Sequence, residues 1–166
     1  MHKEVLDWVE ESVEWWGAPT PATLRVLEFG SLDINGSVRS VLAPLADSYT
    51  GIDANYGKGV DIVADASVFR GLGLFDLVVC CEVFEHTAKW AKIVTNAHSN
   101  LTPGGLFICT MAGEGRPTHS ALDENPKRDW EYYRNVSGPE LEREMGIFKN
   151  YEVGVLGQDT RGRGIK

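Results

Sequence analysis

The strongest constraint on the fold of this chain is an alternation of short apolar runs with stretches of helical period. The segments 25–29, 48–53, 61–65, 75–81, 106–111 and 151–156 are rich in Val, Leu and Ile and are bounded by Gly, Asp or Pro. Such runs suit strands buried on both faces of a sheet. Between them Val38, Val41, Leu42 and Leu45, and then Trp90, Ile93, Val94, Ala97 and Leu101, recur at helical spacing. Gly138-Pro139 opens a further helix carrying Leu141 and Met145, since proline is favoured in a first helical turn. Segment 4–16 is an amphipathic helix, with Val5, Leu6, Val9, Val13 and Trp16 on one stripe, stopped by Gly17. The connector Ala18-Pro19-Thr20-Pro21 suits neither a helix interior nor a central strand. Strands alternating with helices predict an α/β fold, a mostly parallel central sheet covered by helices on both faces. The tail from Asp159 to Lys166, rich in Gly and Arg, predicts a last hairpin strand that is short or absent.

With 166 residues, 43% of them hydrophobic, the chain can bury one core, and 1–166 reads as a single domain. The net charge of −8, without any Lys/Arg-rich run, removes the general attraction for a phosphate backbone, so nucleic acid is disfavoured as a partner. No apolar stretch approaches the ~20 residues of a membrane span, and the acidic first segment is not a signal peptide. Cys80, Cys81 and Cys109 lie inside apolar runs rather than at disulfide or zinc-ligand spacings. The expectation is a cytoplasmic protein with no membrane contact and reduced cysteines.

In an open parallel sheet, ligands bind outside the carboxyl ends of the strands. Those ends read Glu28-Phe29-Gly30-Ser31, Gly51-Ile52-Asp53, Ala64-Asp65-Ala66, Cys81-Glu82 and Thr110-Met111. Gly30 lets the backbone approach a ligand closely, and the polar turn that follows offers free amides. Asp53 has the spacing of an acid that accepts hydrogen bonds from ribose hydroxyls, and Asp65 can accept one from an adenine amine. Singly, an Asp at a strand end is more often a turn or cap residue. The ordered set is more specific.

Val26-Leu27-Glu28-Phe29-Gly30, Tyr49-Thr50-Gly51-Ile52-Asp53, Val63-Ala64-Asp65-Ala66, the run from Phe75 through Glu82-Val83-Phe84-Glu85-His86, and Leu101-Thr102-Pro103-Gly104-Gly105-Leu106 resemble, in order, the motifs of class I S-adenosylmethionine-dependent methyltransferases. The resemblance implies the Rossmann-like fold of that family and S-adenosyl-L-methionine as cofactor. It would set Glu28, Gly30 and Ser31 against the methionine and ribose portion, Asp53 and Ala54 at the ribose, and Asp65 with Ala66 at the adenine. Cys81 and Glu82 would lie beside the methionine moiety and the methyl group. Leu32 stands where the usual second glycine falls, and the turn Gly30-Ser31-Leu32-Asp33-Ile34-Asn35-Gly36-Ser37 resembles a variant of some bacterial and phage methyltransferase-like proteins.

A sulfonium is already a good leaving group, and alignment of the nucleophile alone can supply on the order of 7–11 kcal/mol. A base matters when the acceptor is a hydroxyl or a protonated amine. His86 is the first candidate by its near-neutral titration, and His119 is the second. Glu82, Glu85 and His86 share a face if the segment turns helically. Similar Glu-x-x-Glu-His segments supply metal ligands in small-RNA 2′-O-methyltransferases and ubiquinone O-methyltransferases. Many relatives carry the same letters without metal, however, and no fourth ligand follows at the expected position, so no metal ligand is assigned. Segment 112–134, with Gly113, Gly115, Pro117 and Pro126 among Arg116, Asp123, Arg128, Tyr132 and Tyr133, has the length and composition of a substrate loop. Trp8, Trp15 and Trp16 either flank this pocket or pack on the sheet.

The expected activity is methyl transfer to an oxygen or nitrogen of a small molecule or small exposed group. A catalytically silent cofactor-binding or assembly protein is the alternative from another class. A nucleic-acid methyltransferase ranks third, because neither an Asn/Asp-Pro-Pro-Tyr nor a Pro-Cys segment occurs. Homo-oligomerisation is left open.

Overall fold

Alternate residues of a strand face opposite ways, and here both sets are apolar. A computed structural model describes residues 1–17, 23–71, 73–123 and 125–166; the connector expected at 18–21 lies outside the described residues. Strands β1 (Leu24–Phe29), β2 (Ala46–Asp53), β3 (Ile62–Val63), β4 (Phe75–Cys81), β5 (Leu101–Ala112), β6 (Tyr151–Leu156) and β7 (Asp159–Ile165) form one sheet in the order β3-β2-β1-β4-β5-β7-β6. All pairs up to β4–β5 are parallel, and β7 runs antiparallel to both β5 and β6. Strand order reverses between β1 and β4, which leaves a crevice at their carboxyl ends.

On one face Leu27, Phe29, Val78, Cys80 and Phe107 pack against helices α3 (Trp90–Asn100) and α4 (Gly138–Met145). On the other, Val26, Leu77, Val79, Cys81 and Ile108 pack against α1 (Lys3–Trp16) and α2 (Arg39–Leu42). The adjacent Cys80 and Cys81 thus enter different cores, and all three cysteines are free and buried. Helix α1 ends at Gly17 in the left-handed region, φ +66°, and α4 opens with a Ser137/Glu140 capping box. The helix expected over Val38 to Leu45 is a single turn continued by a 3-10 turn at Ala43–Leu45, because Pro44 has no amide to extend it.

Two strands depart from expectation. β3 keeps only two of the five residues expected, since Asp61 before it accepts the Gly51 amide at 2.7 Å and Asp65 after it caps the Ser67 turn at 2.8 Å. The larger correction is β7, expected short or absent and found seven residues long between β5 and β6. Its glycines are packing positions: a Cβ on Gly164 would stand 2.8 Å from Phe148 Cβ, and one on Gly162 3.1 Å from Leu141 Cδ2. On the opposite side Arg161 lies 4.3 Å over the Trp8 ring, and Arg163 lies 4.6 Å over both Trp8 and Trp15. Trp8 and Trp15 therefore pack on the sheet by cation–π stacking.

Replacing Gly164 by Ala should destabilise the protein by about 1–3 kcal/mol through overpacking against Phe148, read from the midpoint of urea unfolding. A loss below about 0.5 kcal/mol, the size of an ordinary surface change, would mean that β7 is not docked as described.

Candidate functional site

The carboxyl ends of β1, β2 and β4 open onto a cavity of about 610 Å³, within the ~300–1,000 Å³ of small-molecule sites. Its floor is the turn after β1. Gly30 has φ +78°, and a Cβ there would stand 2.1 Å from Val83 Cγ2, so the chain crosses at a point that only glycine fits. The amides of Gly30 and Ser31 both donate to the Ile52 carbonyl, at 2.8 and 3.0 Å. Leu32 lines the cavity, and its bulk is accommodated at Gly57, where a Cβ would meet Leu32 Cδ1 at 2.4 Å. Asp33 ties the turn off by accepting the Gly36 amide at 2.8 Å and pairing with Lys58 at 2.7 Å.

Gly30, Asp53, Ala54, Asp65, Ala66, Cys81 and Glu82 all border this cavity. The Asp53 carboxylate accepts the Asn55 amide at 2.8 Å and the Leu32 amide at 3.4 Å, which aims it across the end of β2. Asp65 is held by Lys89 at 2.7 Å and by the Ser67 hydroxyl and amide; these contacts, Lys89 first, hold its carboxyl down at about 2. Glu82 is the one non-glycine among the described residues with positive φ, +58°. Its carboxylate accepts the Thr110 hydroxyl at 2.9 Å and pairs with Arg116 at 2.9 Å, and Arg116 also binds Asp159, which pairs with His2 at 2.7 Å.

Glu28 and Ser31 do not line the cavity. Glu28 shares the β1 face of Val26, so its carboxylate turns beneath the glycine turn, accepting the Tyr49 hydroxyl at 2.8 Å and the Ser37 hydroxyl at 3.3 Å. Ser31 is buried with its hydroxyl unpartnered, against the position where a Cβ on Gly51 would fall.

At the opposite end His86 and His119 meet across the cavity although 33 positions separate them. With Tyr133 they form three edge-on ring contacts, centroids 4.9, 5.3 and 5.1 Å apart. Burial pushes His86 down to about 4. Behind it Glu85 is wholly buried, and burial, then the Glu82 carboxylate, pushes it up to about 8. Among its described residues the expected loop 112–134 has no helix or strand beyond the first, yet it is firmly tied. Glu131 accepts from the Ser120 hydroxyl and the Ala121 and Arg128 amides, and the Arg134 amide donates to the Glu85 carbonyl at 2.8 Å. Arg116, Ser120 and Asp123 of this loop also reach the cavity. Sequence reading placed them in the loop without a role, since nothing local marks which loop side chains turn inward. Among the described residues two groups could hold a cation: Glu85 with His86 and His119, and His2 with Glu82 and Asp159.

A family model described as a methyltransferase domain matches residues 1–143. The chain belongs to this methyltransferase family. Over 63 residues this methyltransferase is 35% identical to a ubiquinone biosynthesis O-methyltransferase of Colwellia psychrerythraea, a match covering 37% of the chain and only about a quarter (24%) of that relative. Among solved structures, it superposes with TM-score 0.69 on 1,6-didemethyltoxoflavin-N1-methyltransferase of Burkholderia thailandensis, 15% identical over 96% of the chain and 76% of the other. The N-methyltransferase NodS of Bradyrhizobium japonicum gives 0.66 at 16% identity, covering 98% and 85%. The fold is thus the Rossmann-like fold of S-adenosylmethionine-dependent methyltransferases, and no helix among the described residues is long and apolar enough to cross a membrane.

Burial raises the Glu28 carboxyl to about 7, against the pull of Tyr49, Arg39 and Ser37. A carboxyl that binds its proton more tightly when folded stabilises the fold fully below its unfolded pKa of ~4.3, and that contribution is lost as pH rises towards 7. Glu28→Gln has no charge to bury. Between pH 5 and pH 8, urea unfolding should therefore move in favour of the variant over the parent by about 2–3 kcal/mol. An unchanged difference would mean that Glu28 titrates as an ordinary exposed carboxyl.

Proposed function

We propose that this methyltransferase transfers a methyl group from S-adenosylmethionine to an oxygen or nitrogen of a small molecule, within a single domain. The observation that carries the reading is the cavity at the strand reversal, where the Gly30 turn, Asp53, Asp65 and Glu82 converge at one end and His86 and His119 at the other. When bound, S-adenosylmethionine supplies a methyl group on a cationic sulfur. Asp53 is placed to accept from ribose hydroxyls with Ala54 beside it, Asp65 and Ala66 bound the adenine end, and Gly30 gives the backbone its close approach. Cys81 and Glu82 stand beside the methionine portion, and the carboxylates of this wall favour a positively charged sulfur. Glu28 and Ser31 support the turn from below.

The acceptor enters at the other end, walled by segment 112–134 and by Glu82 to His86, where His86 and His119 assist loss of its proton. The range of acceptor atoms is supported by the Colwellia relative, named for O-methylation, and by the two solved N-methyltransferases, which carry S-adenosylhomocysteine.

In a folded Asp53→Ala protein, calorimetry should find S-adenosylhomocysteine bound about 5- to 150-fold more weakly, the ~1–3 kcal/mol of a hydrogen bond to a charged group; undiminished affinity would overturn the ribose assignment. Once a screen identifies an acceptor, His86→Ala or His119→Ala should lower turnover by about 10²- to 10⁴-fold while cofactor affinity holds. Full turnover in both variants would leave alignment as the whole catalytic device. Cofactor binding with no acceptor from a broad hydroxyl and amine screen would favour a silent binding protein.

A further inference from the structure

S-adenosylmethionine carries one anionic group, the carboxylate of its methionine portion. The acids that border the cofactor end of the cavity, Asp53, Asp65 and Glu82, would repel it. Among the described residues Arg116 is the one Arg or Lys that borders the cavity. It stands beside Glu82, 2.9 Å from that carboxylate, at the wall assigned to the methionine portion. It comes, however, from the loop that walls the acceptor.

The backbone around Arg116 is fixed. Its amide donates to the Gly113 carbonyl at 3.2 Å, its carbonyl accepts the Asn135 side-chain amide at 3.0 Å, and the Gln158 side chain donates to the Gly115 carbonyl at 2.8 Å. The guanidinium pairs with Glu82 and with Asp159, and His2 holds Asp159 from the other side at 2.7 Å. These side chains are only 21%, 16% and 17% exposed for Arg116, Glu82 and Asp159, so solvent ions screen the pairs less than they screen surface pairs. Both pairings run through Nη1, and among the described residues no hydrogen bond reaches Nε or Nη2. A planar guanidinium with one edge of its fork unused offers the two parallel donors that a carboxylate accepts.

We propose that Arg116 binds the methionine carboxylate of the cofactor and thereby ties the acceptor loop to the bound cofactor. The proposal rests on the methyltransferase reading and adds to it a residue from segment 112–134. Two carboxylates around one guanidinium leave an excess of negative charge, which the cofactor's ammonium answers beside Glu82. Its carboxylate on Arg116 then completes an alternation of signs along the wall. Arg116 is thus the residue that distinguishes the complete amino-acid portion from a shortened one, and the loop carrying His119 closes against a cofactor that is intact.

The test is calorimetric titration of the full chain with S-adenosylhomocysteine and with its decarboxylated analogue, which keeps the adenosine, the thioether and the amine. The parent should bind S-adenosylhomocysteine about 10- to 150-fold more tightly, as for a charge-assisted hydrogen bond. In Arg116→Gln that ratio should collapse to within about threefold, and Arg116→Lys, which keeps the charge without the fork, should restore part of it. A merely structural role would weaken both ligands alike and leave the ratio as it was. Amide exchange in segment 112–134 should slow on saturation with S-adenosylhomocysteine and slow less with the analogue. Equal affinity of the parent for the two ligands, a ratio that Arg116→Gln leaves unchanged, or equal slowing of exchange would each overturn the proposal. The comparison of ligands on the parent holds even if the Gln variant does not fold. If S-adenosylhomocysteine binds without discrimination only the Arg116 assignment falls, and if neither ligand binds the methyltransferase reading falls first.

Discussion

Everything at the site depends on β1, β4 and β5 being parallel neighbours buried on both faces. Because Leu27, Phe29, Val78 and Cys80 serve one core while Val26, Leu77, Val79 and Cys81 serve the other, a slip of one residue would exchange every side chain between two differently shaped helix layers. That register sets Glu82 directly beyond Cys81 and Gly30 directly beyond Phe29, on opposite sides of the strand reversal. The cavity is the unfilled space that such a reversal leaves, and its chemistry is whatever each strand carries one residue past its last apolar position.

Charge then divides that cavity into regions. Nearly every carboxylate around it has an answering donor: Asp65 has Lys89 and Ser67, Glu82 has Arg116 and Thr110, and Asp123 has Arg128. These contacts hold the Asp65 and Asp123 carboxyls down at about 2. Glu28, beneath the Gly30 turn rather than on the cavity wall, is hydrogen-bonded by hydroxyls alone at a depth where ionisation is expensive. Glu85 is wholly buried, with Oε1 accepting the Ala112 amide and Oε2 left without a partner. His119 Nε2 lies 3.9 Å from the oxygen that accepts the Ala112 amide.

The antiparallel strand β7 gives a different lesson about glycine. In segment 159–165 alternate Gly and Arg read as a last strand that is short or absent, because glycine is depleted in strands. In the fold the same alternation is what β7 needs, with Gly162 and Gly164 admitting Leu141 and Phe148 on one side and Arg161 and Arg163 covering Trp8 and Trp15 on the other. The periodicity was present in the sequence, but its sense depended on residues from helices at both ends of the chain.

By itself the sequence determined the α/β alternation, the carboxyl-end residues Gly30, Asp53, Asp65, Cys81 and Glu82, and the family, since these depend on local apolar period and on motifs contained within single strand–turn units. Only the tertiary structure decided that Glu28 turns beneath the turn, that the tail is a full strand, and that His119 joins Glu85 and His86. The physical reason is the same in each case. Which way a buried carboxylate points, whether a glycine-rich strand is packed, and which loop side chain closes a gap are set by partners distant in sequence, and no local pattern records them.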